Sequence, residues 1–264
     1  MPRRQVDRSR ESYAAGAAAA LPALPGLRNA PGSDRLRENI GLKVISWNLL
    51  RLEGAAVEDV AALVRRERPD LLLMQEATEE MERLPDFVGG HFHWEPLPER
   101  IHGLAAWSPH ELPPPETVPL PVSVMPGRVP PRIAQIIRLG EVTVANVHLS
   151  HGQLLNRWQL LRLAGALEGP AAVIGDYNHV GPTVLPGFRD VGPREPTHRA
   201  RNVLPFRLDR CLVRGLYCAE ARALDPGPSD HRPIALELAA PTAAIEAEAL
   251  RRAPRRRARS RRTR

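Results

Sequence analysis

An acid and an imidazole stand side by side in SDHRPIALEL (229–238), at the entrance to an apolar stretch that reads as a buried strand. A core strand gains nothing from Asp230 and His231 at its mouth, whereas a metal-assisted phosphate site can use both. The same placement recurs along the chain. Asn48 closes LKVISWN, Glu76 closes DLLLMQE, His148 ends the run before Leu149, and Asp176 and Asn178 close AAVIGDYN. Carboxylates, carboxamides and imidazoles at converging strand ends would suit a hard cation such as Mg²⁺, which takes oxygen ligands and keeps several waters. A cation in that setting polarises a phosphoryl oxygen and helps to activate water.

The elements that must position these residues are legible from apolar spacing. LKVISWN (42–48) and DLLLMQE (70–76) are short apolar runs suited to buried strands. Between them Val57, Val60, Ala61 and Val64 repeat at helical spacing, arginines gather at 65, 66 and 68, and Pro69 stops the helix. HFHWEPL and GLAAWS read as short strands, and the proline-rich stretch 108–123 as loop and edge. Residues 132–149 form two β-rich runs meeting at Gly140-Glu141, a hairpin signal. A helix follows, with Leu154, Trp158, Leu161 and Gly165 along its apolar face and Trp158, like Trp47, expected in the core. Arg157 and Gln159 on that helix are expected to brace the scaffold. AAVIGDYN, FRLDRCLV and RPIALEL complete the strands. Buried strands with helices outside imply a layered α/β sandwich.

Bulk properties bound the reading. An apolar fraction of 43% in 264 residues supports a sizeable core, and Cys211 and Cys218 read as reduced structural thiols. No apolar run approaches the length of a membrane span. The net charge of +7 is local in origin. Residues 251–264 hold nine arginines and no acid, so the remainder carries −2. Such a block reads as a solvated tail able to attract nucleic acid or an anionic membrane. Residues 1–40, with an alanine-rich stretch broken by Pro22 and Pro25, read as a flexible leader rather than an export signal, which favours a cytoplasmic location. The expected division is a leader (1–40), a catalytic domain (41–240), and a short helix with the arginine-rich tail (241–264). A monomer is expected.

The motifs SWN (46–48), MQE (74–76), NVHL (146–149), GDYN (175–178), RLD (207–209) and SDHRP (229–233) occur in this order. In that respect the chain resembles the endonuclease/exonuclease/phosphatase superfamily, which includes pancreatic deoxyribonuclease, neutral sphingomyelinases, inositol polyphosphate 5-phosphatases and abasic-site endonucleases. The resemblance covers about 200 residues, from Leu42 to Leu238. NVHL is similar to the histidine-bearing branches rather than to the abasic-site branch, and Tyr177 stands where Phe is commoner. The resemblance implies a four-layer α/β sandwich of two packed, mostly antiparallel sheets flanked by helices, with the site at one edge.

It also implies hydrolysis of a phosphate ester with a divalent metal, Mg²⁺ or alternatively Mn²⁺. Carried to matching positions, Glu76 is the principal metal carboxylate, with Asn48 beside it and Asp230 completing the acidic rim. Asp176 and Asn178 position the water and a phosphate oxygen, and His148 is a second acid/base or phosphate-orienting group. His231, held by Asp209, binds or protonates the phosphate; the neighbouring carboxylate favours its cationic form. Arg132, entering a strand, is a further candidate for a phosphate contact, whereas His91, His93, His102 and His151 read as surface or loop residues. The arginine tail points to a nucleic-acid phosphodiesterase or endonuclease. Alternative substrates are phospholipids, inositol phosphates and small phosphoesters, and a catalytically idle binding module is the third reading.

Overall fold

The computed structural model describes residues 41–123, 130–200 and 204–240. The expected leader and the expected C-terminal helix and tail lie outside the described residues. Among the described residues fourteen strands run in chain order: β1 (Leu42–Asn48), β2 (Leu71–Thr78), β3 (His91–Pro96), β4 (His102–Ser108), β5 (Glu116–Pro119), β6 (Ile133–Leu139), β7 (Val142–His148), β8 (Ala171–Asp176), β9 (Arg189–Asp190), β10 (His198–Ala200), β11 (Leu204–Phe206), β12 (Asp209–Arg214), β13 (Tyr217–Ala223) and β14 (Ile234–Ala239). The helices are α1 (Val57–Glu67), α2 (Leu84–Val88), which follows a 3₁₀ turn (Glu79–Arg83), and α3 (Gln153–Ala164).

Two six-stranded sheets form, ordered β13-β14-β1-β2-β4-β3 and β5-β6-β7-β8-β12-β9. All their neighbouring pairs are antiparallel except the central ones, β1 with β2 and β7 with β8. A parallel pair needs a long crossover, usually helical, and α1 and α3 supply the two. This arrangement brings the C-terminal ends of β1, β2, β7 and β8 to one edge of the molecule. Polar residues closing those strands therefore meet.

Strand alternation builds the layers. Val44, Leu71, Leu73, Ile234 and Leu236 from one sheet pack on Ile137, Val144, Ala172, Ile174 and Cys211 from the other. Ile45, Trp47, Leu72 and Met74 face outward onto Val57, Val60, Ala61 and Val64 of α1. Ala145, Val147 and Val173 face outward onto Leu160 and Leu163 of α3. The result is the four-layer α/β sandwich. Both cysteines are free thiols. Among the described residues no helix is long and apolar enough to cross a membrane.

α1 follows its expected pattern: Glu58 and Asp59 sit in its first turn and Arg65 and Arg66 in its last, and left-handed Arg68 with Pro69 ends it. α3 does not. It buries Asn156, Gln159, Leu160 and Leu163, and leaves Leu154, Trp158 and Leu161 exposed. The apolar face expected from spacing is the outer one, and Trp158 is not a core residue. The physical reason lies in the connection after β7: Gln159 accepts the Ser150 N–H and donates to the Pro121 carbonyl, and Asn156 donates to the Tyr177 carbonyl. Those buried backbone groups require polar partners, which sets the helix rotation. Gln159 thus braces the scaffold as expected, while Arg157 is exposed.

A buried polar network joins the sheets behind the site. Gln75 donates to the Asn146 carboxamide oxygen at 2.7 Å and to Ser46 Oγ at 3.0 Å. Asn146 donates to the carbonyls of Met74 and Ala105 and to the Gln135 side chain. Replacing Asn146 with leucine strands several buried partners, so stability should fall by about 2–4 kcal/mol. Urea unfolding of the variant checks this; an unchanged midpoint would mean that the network is energetically idle.

Candidate active site

β1 delivers Asn48, buried, whose Nδ2 donates to Asp176 Oδ2 at 3.0 Å and whose Oδ1 accepts the Leu50 N–H at 3.1 Å. The segment carrying His231 is fastened to β1. Ser229 Oγ donates to the Asn48 carbonyl at 2.7 Å and accepts the His231 N–H, and Trp47 Nε1 donates to the His231 carbonyl at 2.9 Å. Trp47 is the core residue expected, and it also fixes the backbone of His231.

Glu76 does not end its strand; β2 continues to Thr78. The ladder with β4 shifts register between Gln75 and Ala77, and Glu76 takes a positive φ of 56°. A bulge of this kind bends the strand and re-aims one side chain, at a backbone cost of roughly 1–3 kcal/mol. Here it turns Glu76 to the site, where Oε2 accepts from Arg51 at 3.0 Å and Oε1 lies 4.0 Å from His148 Nε2.

His148 is buried between Arg132 and Asp176. Arg132 Nη1 is 3.1 Å from His148 Nδ1, and a guanidinium only donates, so Nδ1 accepts and the ring proton sits on Nε2. Nε2 faces Asp176 Oδ2 at 3.5 Å. Burial first, then the Arg132 charge, hold the imidazole well below its ordinary pKa, keeping it neutral.

β8 ends at Asp176, whose Oδ1 accepts the Asn178 N–H at 2.8 Å. Asn178 adopts φ 47°, a left-handed conformation tolerated by Asn, and donates its Nδ2 to the Leu149 carbonyl. Burial raises the Asp176 carboxyl above the ordinary range, against the pull of His231.

β12 begins at Asp209, fixed by Thr197 Oγ1, which accepts both the Leu208 and the Asp209 N–H. Asp209 Oδ2 lies 2.9 Å from His231 Nδ1, and His231 Nε2 points toward Asp176 Oδ2 at 3.8 Å. Burial alone would depress the His231 pKa, but the carboxylates of Asp209 and Asp176 outweigh it and raise it to about 10. The site therefore sets a neutral imidazole, His148, and a cationic one, His231, on either side of one carboxylate.

Asn48, Glu76, His148, Asp176, Asn178, Asp209 and His231 are thus linked through short contacts at one edge. Asp230, expected on the metal rim, has its Oδ2 3.3 Å from His198 Nε2, a bond that holds its pKa below the usual carboxylate range, and with His198 and His231 it forms a second cluster of metal-compatible spacing. Successive side chains diverge there, so Asp230 turns away from Asp209 as His231 turns toward it.

Several site residues escaped sequence reasoning or were given other roles. His198 lies in the short β10–β11 ribbon, with its ring centroid 4.5 Å from that of His231, and its polar surroundings EPTHRAR offer no apolar periodicity to mark it. Arg51 carries no strand signal. His102, expected as a surface or loop residue, is buried at the start of β4, and the Arg51, Glu76 and Arg132 charges act on it. Arg132 bonds the site imidazole directly.

The donor set fits a hard cation. A Glu76 carboxylate oxygen and the Asn48 carboxamide oxygen are hard ligands beside buried Asp176, with no thiolate in the group. The cluster of Asp176, Asp209 and His231 also has metal-compatible spacing. The His231 ring in it is instead committed to Asp209 as a proton donor.

A model of the Endonuclease/Exonuclease/phosphatase family matches residues 45–231. No curated protein matches the chain by sequence. Among solved structures, a functionally unknown conserved protein from Enterococcus faecalis V583 is 20% identical, with a TM-score of 0.62, over 75% of this chain and 100% of its own. An endonuclease/exonuclease/phosphatase from Bacteroides vulgatus is 16% identical, with a TM-score of 0.63, over 75% of this chain and 98% of its own. Truncated TDP2 from Caenorhabditis elegans is 18% identical, with a TM-score of 0.55, over 76% and 98%. At these identities the likeness is one of fold.

Proposed function

Since the chain belongs to the Endonuclease/Exonuclease/phosphatase family, and so is a metal-dependent phosphoesterase, we propose that it hydrolyses phosphodiesters with Mg²⁺, using the residues gathered at the sheet edge. The observation that carries this reading is the pair of unlike imidazoles flanking Asp176. Glu76 and Asn48 would hold the cation, which supplies Lewis-acid stabilisation of charge on the phosphoryl group.

The chain's own groups do the rest. Asp176, with its proton affinity raised by burial, accepts a proton from the attacking water. The Asn178 side chain, tied through Nδ2 to Leu149, presents its oxygen to the same water. His231 Nε2–H and His148 Nε2–H donate to phosphate oxygens as negative charge grows on them. Asp209 keeps His231 charged and oriented, and Arg132 keeps the His148 proton on Nε2. The phosphorus–oxygen bond to the leaving group breaks, giving a phosphomonoester and an alcohol.

Nucleic acid is the substrate to which the nine arginines of residues 251–264 point. Purified protein should nick supercoiled plasmid with Mg²⁺, and EDTA should abolish the activity. No nicking at any Mg²⁺ or Mn²⁺ concentration would set this substrate aside.

The sign of the pH dependence follows from His231. Its cation persists through neutral pH and is lost as pH rises through about 10. Asp209→Asn removes a favourable charge, lowers that pKa, and should shift the alkaline fall in kcat toward neutrality. A pH–rate profile unmoved in the variant would separate His231 from the phosphate step.

A further inference from the structure

β12 carries Asp209 into the catalytic site on one face and Arg210 to the other. Cys211 packs between the sheets and Leu212 packs in the α3 cluster, so by strand alternation Asp209 faces inward and Arg210 outward. On that outer side lies a cavity of about 440 Å³, lined by residues 180–183, Asp190, Arg194, Arg207 and Arg210. None of these residues has a part in the chemistry derived above.

The charges of the lining do not balance. Arg207 grips Asp190 twice, Nη2 to Oδ1 at 2.7 Å and Nη1 to Oδ2 at 2.8 Å, and Arg210 Nη1 reaches the same Oδ2 at 3.3 Å. One carboxylate thus serves two guanidiniums. Arg194 is exposed and has no ion pair among the described residues. Three arginines against one aspartate leave the lining with a net charge of +2. Arg210 is only 3% exposed, and its Nε has no hydrogen-bond partner; neither has the buried Thr183 Oγ1. A buried cation that must share its counter-charge is stabilised by a further anion, and buried polar atoms without partners are uncommon.

A phosphate group answers this lining. As a dianion it supplies the missing charge, and its oxygens accept from guanidinium N–H groups and from a hydroxyl. The volume leaves room for water or for the molecule that carries the phosphate. The cavity also borders the catalytic loop. Arg210 Nη2 donates to the carbonyls of His179 at 3.1 Å and Gly181 at 2.7 Å, just beyond Asn178. The cation that attracts the anion therefore also holds the segment leaving the catalytic asparagine.

We propose that this cavity is a binding site for a phosphate group, separate from the catalytic mouth. Binding stands on the cavity alone, whereas any effect on turnover rests on the phosphodiesterase reading above.

The test titrates inorganic phosphate by calorimetry into the metal-free full chain, with His231→Gln in place so that the catalytic imidazolium does not hold the anion. Saturable binding is expected. Arg194→Ser should weaken it about tenfold or more, and Thr183→Val about fivefold. Arg194 is exposed, so its serine variant should keep the parent's thermal midpoint. No saturable binding, binding indifferent to both substitutions, or equal displacement by chloride would overturn the site. Kinetics with His231 intact then separate the sources of the phosphate. If the ligand is free phosphate, adding it should change kcat for a nitrophenyl diester in the wild type but not in Arg194→Ser. If the phosphate belongs to the substrate, Arg194→Ser should raise KM for an oligonucleotide and not for the nitrophenyl diester. Phosphate binding that depends on Arg194 in a protein that hydrolyses no ester would leave the site standing and remove the enzymatic reading instead.

Discussion

His231→Ala should lower kcat for phosphodiester hydrolysis by about 10²–10⁴-fold, with KM changed far less. The expectation follows from where the imidazole stands. Its Nδ1 is held by Asp209 at 2.9 Å and its Nε2 is directed into the site, so its proton is useful only to a group that arrives with substrate. A cation there stabilises charge that is greatest in the transition state, which is why the loss should fall on kcat. The alanine variant also leaves Asp209 and Asp176 without the charge that offsets them, so part of any effect could come from weakened folding. His231→Gln keeps a donor near the same place without the charge; a thermal midpoint near wild type with activity still lost would locate the effect in chemistry. Equal turnover in the alanine variant and the wild-type protein would remove His231 from the reaction.

Gly175→Ala should destabilise the fold strongly, by about 3–5 kcal/mol. Gly175 has φ 144°, and a Cβ there would lie 2.0 Å from the Val147 carbonyl oxygen. That oxygen belongs to the neighbouring parallel strand, one residue before His148, so neither partner can yield without separating His148 from Asp176. Gly169 offers the contrast. It has φ 59° but open space around it, and its alanine variant should cost about 1 kcal/mol from backbone conformation alone. Unfolding midpoints of the two variants measured together separate steric contact from conformational preference; similar losses would refute the close approach of β7 and β8.

Much of this was legible in the linear chain because the relevant physics is local. Short apolar runs with a polar residue at the end marked β1, β2, β7 and β8, and helical spacing of valines marked α1. The motif order carried the four-layer fold and the pairing of His231 with Asp209. β13 and the β10–β11 ribbon were missed. Their residues are polar or half-exposed, so pairing with neighbouring strands, rather than hydrophobic pattern, makes them strands.

Long-range contacts settled other features. The spacing of Leu154, Trp158 and Leu161 established that a helix exists and has an apolar face, yet carried no information about which face the core would take. The demand of buried carbonyls for Asn156 and Gln159 made that choice. Composition likewise placed Asp230 beside His231, but not the His198 imidazole 32 positions earlier in the chain that claims its carboxylate. Periodicity reports the energy of a segment against a generic interior. Rotation of a helix and assignment of a carboxylate to its partner depend on neighbours distant in the chain, and so become readable only when those neighbours are in place.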